Sequence, residues 1–201
     1  MVQPIPRLRA YSVRRNRGAS PARLPPAPML INWIQFTWDL NALPLRQPEL
    51  PEHYQISRAM PEDEPELRKV ISSSFSLDPA WNASMQEIAG AIDSWLERAA
   101  APEGNTVCLA LRHGLRIIGA TVLTLADEAE NHLAPGPCIL VEYRNRGYGT
   151  RLLEASLRTL QEAGLHVARG IAQEHSPATK FLYPKFNSTL SNLEVSPLVA
   201  A

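Results

Sequence analysis

The sequence predicts a mixed α/β (α+β) fold in which helices flank a central sheet. Short apolar runs of strand length alternate with longer stretches whose apolar residues recur every three to four positions, as on one face of a helix. The chain has 201 residues, which is enough to bury a full hydrophobic core. One domain preceded by a tail is therefore the expected organisation.

The first 28 residues form a basic segment that we expect to be disordered. They hold six arginines and no acidic residue among several prolines, alanines and serines, and such a composition cannot build a packed core. Three interpretations stay open: an extension upstream of a start at Met29, a solvated basic arm, or an arginine-rich targeting presequence. The prolines weigh against the presequence because they would interrupt its amphipathic helix.

Residues 29–53 are predicted as an extended N-terminal segment that contains a docking strand. Apolar side chains fall on both faces of residues 31–37, and three prolines follow before residue 54. This pattern indicates a short buried strand and then an extended connector. The strand could pack across the body of the domain or against a second copy, so a homodimer is among the expected partners. A tail strand without a chemical role is the simpler interpretation.

The domain proper is predicted over residues 54–201 and begins with a strand and two helices. Residues 54–58 have strand character, and Pro61 with the acidic residues after it has the composition of a helix start. Apolar residues at helical spacing then mark two helices. They are Leu67, Val70, Ile71 and Phe75 in the first helix, and Met85, Ile88, Ile92, Trp95 and Leu96 in the second.

Strand and helix patterns alternate through the rest of the domain. A hairpin is predicted around His113-Gly114, and an amphipathic helix that ends at Gly164 follows a buried strand. In chain order, the predicted elements are strands at 107–111, 115–125 and 138–141, a helix at 151–163, a strand at 167–171, a helix at 177–183 and a last strand within 188–198.

The loop after the strand at 138–141 is the most informative motif. It reads Arg144-Asn145-Arg146-Gly147-Tyr148-Gly149 and opens directly into a helix. Glycines allow the backbone to pass close to a bulky group, and the first N–H groups of a helix are unpaired and carry partial positive charge. Such a helix start is suited to phosphate, and the two arginines add fixed positive charge.

Two well-known phosphate-binding patterns do not fit this loop. A dinucleotide fingerprint needs a third glycine or alanine where this chain has Leu152. A nucleoside-triphosphate loop needs Gly-Lys-Ser/Thr, whereas Gly149 is followed by Thr150-Arg151. A nucleotide-binding domain is therefore the weaker interpretation.

The remaining pattern, Arg-x-x-Gly-x-Gly after a strand, resembles the pyrophosphate loop of the GNAT-type acyl-CoA N-acyltransferases. Residues 139–149 match that loop at most positions, with Val141 in place of the usual proline and Asn145 in place of a common glycine. The resemblance covers roughly residues 54–195. It implies a mixed, mostly antiparallel central sheet flanked by helices, with a V-shaped splay between the central strands.

The resemblance also implies how acetyl-CoA would be held as cosubstrate, without a metal. The pantetheine arm would pair with the backbone near Ile139 and Val141, and an N–H of Ile139 or Leu140 would hold the developing oxyanion. Backbone N–H groups of the loop would hold the pyrophosphate. The expected cofactor-binding residues are Ile139, Leu140, Val141, Arg144, Asn145, Arg146, Gly147, Tyr148, Gly149 and Thr150.

A second match to the family lies at residues 182–187, which read Leu-Tyr-Pro-Lys-Phe-Asn. Many members carry Leu-Tyr-x-Lys-x-Gly-Phe here, so Asn187 takes the glycine position, where left-handed geometry is tolerated. The resemblance implies that the Tyr183 hydroxyl is the catalytic acid that protonates the departing thiolate. Because Pro184 removes a helix hydrogen bond, we expect the helix to end or kink at Tyr183.

No residue stands out as the general base. Glu142 and His132 are candidates for this role. For both, a structural interpretation is simpler: Glu142 as a surface carboxylate and His132 as a histidine in a polar loop. The loop acids Asp127, Glu128 and Glu130 could attract a cationic amine or could simply be solvated. The histidines show no metal-ligand spacing, and no Ser, Cys and His arrangement indicates a covalent nucleophile.

Charge and composition exclude several classes of partner. Because six arginines lie in the first 28 residues, the remaining chain holds 14 basic residues against all 20 acidic ones. A net-acidic body argues against nucleic acid as a partner. Cys108 and Cys138 lie in apolar runs and read as reduced core residues of an intracellular, cytoplasmic protein. No apolar run approaches the ~18 residues that span a bilayer.

The predicted function is transfer of an acetyl or other acyl group from acetyl-CoA to a primary amine by direct attack. The acceptor could be an amine-bearing small molecule, a protein N-terminus or a lysine. The alternative is a non-catalytic acyl-CoA sensor or interaction module on the same fold.

Overall fold

Seven strands and three α-helices occur in the described part of the computed structural model, which comprises residues 32–45, 49–77, 81, 85–101 and 104–193. The strands are β1 (Trp33–Asp39), β2 (Tyr54–Arg58), β3 (Thr106–His113), β4 (Arg116–Thr124), β5 (Cys138–Ile139), β6 (Val167–Gln173) and β7 (Thr189–Leu193). The helices are α1 (Glu64–Ser76), α2 (Met85–Ala100) and α3 (Tyr148–Glu162). A π-helical segment spans Ala178–Leu182.

The strands form two antiparallel sheets. The first has the order β2-β3-β4-β5, and the second has the order β6-β1-β7. The sheets face each other at β5 and β6, which are not hydrogen-bonded to one another among the described strands. Residues of both strands instead line a common cleft. The predicted mixed fold with antiparallel strands and flanking helices is confirmed.

Helices cover both faces of the first sheet because successive residues of a strand point to opposite sides. Leu109 and Leu111 of β3 pack in one buried cluster with Leu152 and Leu157 of α3. The intervening residue Ala110 belongs to a second cluster with side chains of α1 and α2. Each fully buried leucine contributes ~1.5–3 kcal/mol relative to exposure. The sheet thus separates α3 from the pair α1 and α2.

Strand β1 is the central strand of the second sheet. It pairs with β6 from Trp33↔Gln173 to Asp39↔Val167, and its other edge pairs with β7. Phe36 and Trp38 on one face are 1% and 0% exposed, and Trp33 on the other face is 7% exposed, so apolar side chains are buried on both faces of the strand. In the sequence, this strand precedes the predicted domain start at Tyr54. In the structure, its side chains belong to the hydrophobic core, and both of its edges pair with strands of the same chain.

The strand before the glycine loop is shorter than predicted. Residues 138–141 were expected to be extended, but β5 ends at Ile139 and a 3-10 turn follows at Val141–Tyr143. Leu140 makes the last ladder contact, since its N–H donates to the Ile118 carbonyl at 3.0 Å.

Other predicted elements are present in the structure, but their first and last residues differ from the predicted ones. The helix predicted at 151–163 is α3 and begins at Tyr148, directly on the glycine loop. The segment predicted as a helix at 177–183 is the π-helical segment, and the last strand is β7. The predicted basic tail, residues 1–28, lies outside the described residues. Among the described helices, none has both the length and the apolar character that crossing a bilayer requires.

Candidate functional site

The start of α3 presents an open set of backbone donors. Gly147 precedes the helix with φ 84°, and the first helical bond is donated by the Arg151 N–H to the Gly147 carbonyl at 3.1 Å. No side chain caps this end. Within the described part of the chain, the N–H groups of Gly147, Tyr148, Gly149 and Thr150 therefore have no protein acceptor. Unpaired amides at a helix start form an anion site.

The loop geometry depends on two left-handed residues. Gly147 has φ 84°, and Asn145, which stands where the family often has glycine, has φ 60°. Asparagine adopts this region more readily than most residues because its short side chain can hydrogen-bond locally. A Cβ added at Gly147 would meet nothing within 4 Å, so this glycine faces open space in front of the helix start.

Cationic side chains surround these amides. The Lys185 ammonium donates to the Thr150 hydroxyl at 2.9 Å, which places a positive charge on the first turn of α3. The Arg146 guanidinium lies 5.7 Å from the centre of the Tyr143 ring. In the sequence, Lys185 is part of a family motif but no role is predicted for it. Its place at the helix start follows only from the tertiary structure.

Arg144 is held against the end of β5. Its Nε donates to the Ile139 carbonyl at 2.9 Å, so the side chain folds back on the end of β5. It lines the cleft together with Asn145, Gly147 and the rest of the loop. Arg144 thus braces the strand end as well as adding charge beside the loop.

A second, smaller cavity of about 400 Å³ lies over the helix start. Arg146, Tyr148 and Lys185 form part of its wall, and residues 49–51 of the connector after β1 form another part. Gly147, Thr150 and Lys185 line both this cavity and the main cleft. The amides of α3 are therefore reached from both spaces.

The main cleft between the sheets has a volume of about 1780 Å³. It brings together most of the predicted site residues. They are Ile139, Arg144, Asn145, Gly147, Gly149, Thr150 and Tyr183. The other four predicted residues lie elsewhere. Arg146 and Tyr148 line the smaller cavity, Leu140 is buried in the core on the α1 and α2 side, and Val141 is 57% exposed in the turn after β5.

Only one of the two proposed oxyanion donors faces the cleft. The Leu140 N–H is taken by the Ile118 carbonyl. In an antiparallel ladder the direction of the N–H groups alternates, so the N–H of Ile139 points to the opposite edge, which borders the cleft. The Ile139 carbonyl points the same way, because it accepts from Arg144 and, at 3.5 Å, from the Ser74 hydroxyl.

Tyr183 lies at the wall of the cleft with its ring enclosed by the second sheet. Its ring contacts Phe36 and Trp38 edge to face, each at 5.3 Å between centroids, and the residue is 2% exposed. The hydroxyl lies so close to Gly136 that a Cβ there would be 1.9 Å away. Among the described residues it has no hydrogen-bond partner. Burial raises the pKa of the hydroxyl well above its ordinary value, so it stays protonated and can act as an acid.

Pro184 ends the helix as predicted. The Tyr183 N–H donates to the Ala178 carbonyl at 2.8 Å, a five-residue step, and the π-helical segment stops at Leu182. Phe186 and Asn187 then take φ 61° and 58°. The Trp38 indole N–H donates to the Lys185 carbonyl at 3.0 Å and ties this turn to β1.

The two candidate bases lie outside the cleft. His132 is 0% exposed, and its Nδ1 accepts from the Arg169 N–H at 3.0 Å; burial lowers its pKa. Glu142 pairs with Arg116 at 2.8 Å on the surface, and a hydrogen bond to its own backbone, followed by Arg116, lowers its pKa. Neither residue lines the cleft.

Cys138 lines the cleft and shows no sign of an activated thiolate. Burial raises the pKa of its thiol to about 12, and the reactive species of cysteine is the thiolate. Among the described residues, no group of His, Cys, Asp and Glu side chains is arranged to hold a metal ion.

The chain matches one protein-family model, described as the acetyltransferase (GNAT) family, over residues 65–186. It is also similar to the structure of an acetyltransferase from the GNAT family of Colwellia psychrerythraea, at 13% identity and TM-score 0.58, over 81% of this chain and 54% of that one. No curated protein matches the sequence.

Two further solved structures show the same likeness. A GCN5-related N-acetyltransferase from Sphaerobacter thermophilus is 16% identical with TM-score 0.57, over 81% of this chain and 49% of that one. A functionally unknown conserved protein from Staphylococcus epidermidis is 13% identical with TM-score 0.56, over 81% and 59%. The chain spans about half the length of these solved chains, and at such identities the likeness concerns the fold alone.

Proposed function

This chain belongs to the GNAT family of acetyltransferases, and we propose that within it the protein is an N-acetyltransferase that moves an acetyl group from acetyl-CoA to a primary amine. The observation that carries the proposal is the set of unpaired amides at the start of α3. These amides face open space on the side of Gly147, and Lys185 and Arg146 stand beside them.

The pyrophosphate of CoA is proposed to lie on these amides. Four successive N–H groups and the partial positive charge of the helix start favour a dianionic ligand. Lys185 and Arg146 add charge from two sides. The two connected cavities give the rest of the molecule room: the phosphoadenosine part in the cavity near residues 49–51, and the pantetheine arm in the main cleft.

The edge of β5 is proposed to hold the thioester. The Ile139 N–H faces the gap between the sheets and can donate to the thioester oxygen as negative charge develops there. A single drug-sized ligand typically needs ~300–1,000 Å³, so a cleft of about 1780 Å³ can hold both cosubstrates at once. This supports direct transfer in a ternary complex, which removes much of the entropic barrier.

The proposed reaction needs one acid on the enzyme. The amine nitrogen attacks the thioester carbonyl, the tetrahedral intermediate collapses with cleavage of the carbon–sulfur bond, and CoA leaves as the thiolate. The Tyr183 hydroxyl, which stays protonated because it is buried, gives its proton to that sulfur. The attacking nitrogen loses its proton to water, and Tyr183 regains one from solvent.

A non-catalytic acyl-CoA-binding protein is the second candidate. The specific observation in its favour is that the two candidate bases, Glu142 and His132, both lie outside the cleft. The amide site at α3 is common to both candidates, and only turnover separates them.

Calorimetric titration with acetyl-CoA, followed by a thiol-release assay with primary amines, tests the proposal. Saturable binding together with amine-dependent release of free CoA supports the acetyltransferase. Binding without release across the amines supports the second candidate. Absence of acetyl-CoA binding by the folded protein contradicts both.

A further inference from the structure

We infer that the acceptor is an apolar, ring-bearing primary amine and not a polyamine; this inference rests on the proposed function. It comes from the wall of the main cleft that faces away from α3. Four aromatic side chains from separate parts of the chain converge there. They are Trp33 of β1, Phe75 of α1, Trp81, and Trp95 of α2.

The four rings form one continuous surface. Trp33 and Trp81 are 5.6 Å apart between ring centroids, Phe75 and Trp81 are 5.3 Å apart, and Phe75 and Trp95 are 6.4 Å apart. The surface therefore reaches from the second sheet across to α2. Aromatic rings bind other rings by offset-stacked and edge-to-face contacts, so this surface is suited to an apolar ring.

The ring surface lies on the correct side for an acceptor. The first sheet separates α3 from α1 and α2, so the surface is across the sheet from the amide site. The end of α1 reaches the edge of β5, since the Ser74 hydroxyl is 3.5 Å from the Ile139 carbonyl. Phe75 is the next residue. A ring held here would place its amine beside the position proposed for the thioester.

The charges on this part of the wall do not favour a polycation. The described acidic residues that line the cleft are Glu87 and Glu130, and both are exposed. Four basic residues line the same cleft and outnumber them: Arg98, Arg144, Arg169 and Lys185. A polyamine needs an excess of negative charge to offset the loss of its solvation, and the described wall does not supply it.

Two buried hydrogen-bond donors also favour a ring-bearing amine over a polyamine. The indole N–H of Trp95 and the side-chain amide N–H of Gln173 have no acceptor within the described residues, and both residues line the cleft. The ammonium groups of a polyamine are themselves only donors and add nothing for these groups to bind. A ring-bearing amine brings a π face, which accepts weakly from N–H groups.

Steady-state kinetics with two amines test the inference. We expect kcat/KM for 2-phenylethylamine to exceed that for spermidine by about 100-fold, the range in which an apolar pocket discriminates. Trp81→Ala should raise the KM for 2-phenylethylamine by about 10-fold while leaving the KM for acetyl-CoA unchanged, and Trp81→Phe should restore most of the loss. Leu115→Ala, at an exposed position outside the cleft, is the control.

The outcomes separate this inference from the function it rests on. Preferred turnover of spermidine, or an equal effect of Trp81→Ala on both amines, overturns the acceptor class and leaves the acetyltransferase intact. Calorimetric binding of acetyl-CoA without any turnover of 2-phenylethylamine also overturns it. Absence of acetyl-CoA binding by the folded parent protein instead contradicts the proposed function.

Discussion

Gly147 sets the direction in which the first turn of α3 presents its amides. Its φ of 84° lies in the left-handed region, where a side chain is strained by ~1–2 kcal/mol. The space in front of it is open. A side chain there would not disturb packing but would project into the volume that we assign to the pyrophosphate.

Gly147→Glu is expected to abolish acetyl-CoA binding while leaving the fold intact. A carboxylate beside a diphosphate costs several kcal/mol, so the affinity should fall by at least about 100-fold. Calorimetry gives the affinity, and far-UV circular dichroism with thermal unfolding reports the fold. Gly114→Glu is the matched control, because Gly114 also has positive φ and open space but lies at a hairpin tip. Equal affinity in the Gly147 variant would refute the site assignment.

Tyr183→Phe is expected to lower kcat by about 10²–10⁴-fold, the usual contribution of a positioned acid. Acetyl-CoA affinity and stability should change little, because the hydroxyl has no hydrogen-bond partner among the described residues. Thiol release under saturating cosubstrates measures the effect. Tyr143→Phe is the control, since its hydroxyl bonds His113 at 3.2 Å outside the cleft. Wild-type kcat in the Tyr183 variant would remove this tyrosine from the mechanism.

At the scale of elements, β1 packs against Tyr183 and the turn that carries Lys185. Phe36 and Trp38 both pack edge to face against the Tyr183 ring, and the Trp38 indole N–H donates to the carbonyl of Lys185. One strand therefore positions both the proposed acid and the cation at the start of α3. The strand that looked like a tail in the sequence is a structural part of the site.

Trp38→Ala is expected to destabilise the fold by about 3–5 kcal/mol, as for other large-to-small changes in a core. Trp38→Phe keeps most of the packing and loses mainly the bond to Lys185, so a cost of about 1–2 kcal/mol is expected. Urea unfolding measures both. Leu115→Ala, at 95% exposure, should stay within about 0.5 kcal/mol of the parent. A Trp38→Ala variant as stable as this control would contradict the central role of β1.

Elements were predictable from sequence where the signal is local. The glycine loop, the helix after it and the end of the next helix at Pro184 follow from residue types at fixed spacing. The length of β5 does not, because the chain turns away from β4 after Leu140, whose N–H makes the last contact, to the Ile118 carbonyl. The π-helical register before Tyr183 also lacks a local signal.

At the scale of the whole molecule, the two proposed cosubstrates occupy opposite faces of one sheet. The amide site lies on the α3 side and the ring surface on the side of α1 and α2. The gap between β5 and β6 joins them. A bound cofactor would therefore contact both sheets, and we expect its binding to raise the free energy of unfolding of the whole protein.

Acetyl-CoA is expected to protect the protein from thermal unfolding, whereas NAD is not. At about 100 times its dissociation constant, a ligand that binds only the native state adds ~2.7 kcal/mol to the free energy of unfolding, which corresponds to about 5–10 °C in Tm. Scanning fluorimetry with each ligand measures the shift. Gly147→Glu should lose the protection. Equal protection by NAD would indicate a general nucleotide site instead.

The sequence could not reveal the ring surface or the role of Lys185. The surface joins Trp33 to Trp81, and the ammonium of Lys185 meets Thr150; both contacts link residues far apart in the chain. No spacing rule connects such pairs, because their proximity depends on how the two sheets are placed. The same reasoning applies to β1: no local signal near residue 33 indicates that this strand pairs with β6 and β7.

The placement of β1 also constrains how the protein is made. The ribosome releases Trp33 about 140 residues before its partner Gln173 and about 160 residues before its partner Leu193. Contacts so distant along the chain form slowly, and until they form two tryptophans and a phenylalanine have no sheet to cover them. Nascent chains should therefore depend on holding factors, and expression at lower temperature should raise the yield of native protein.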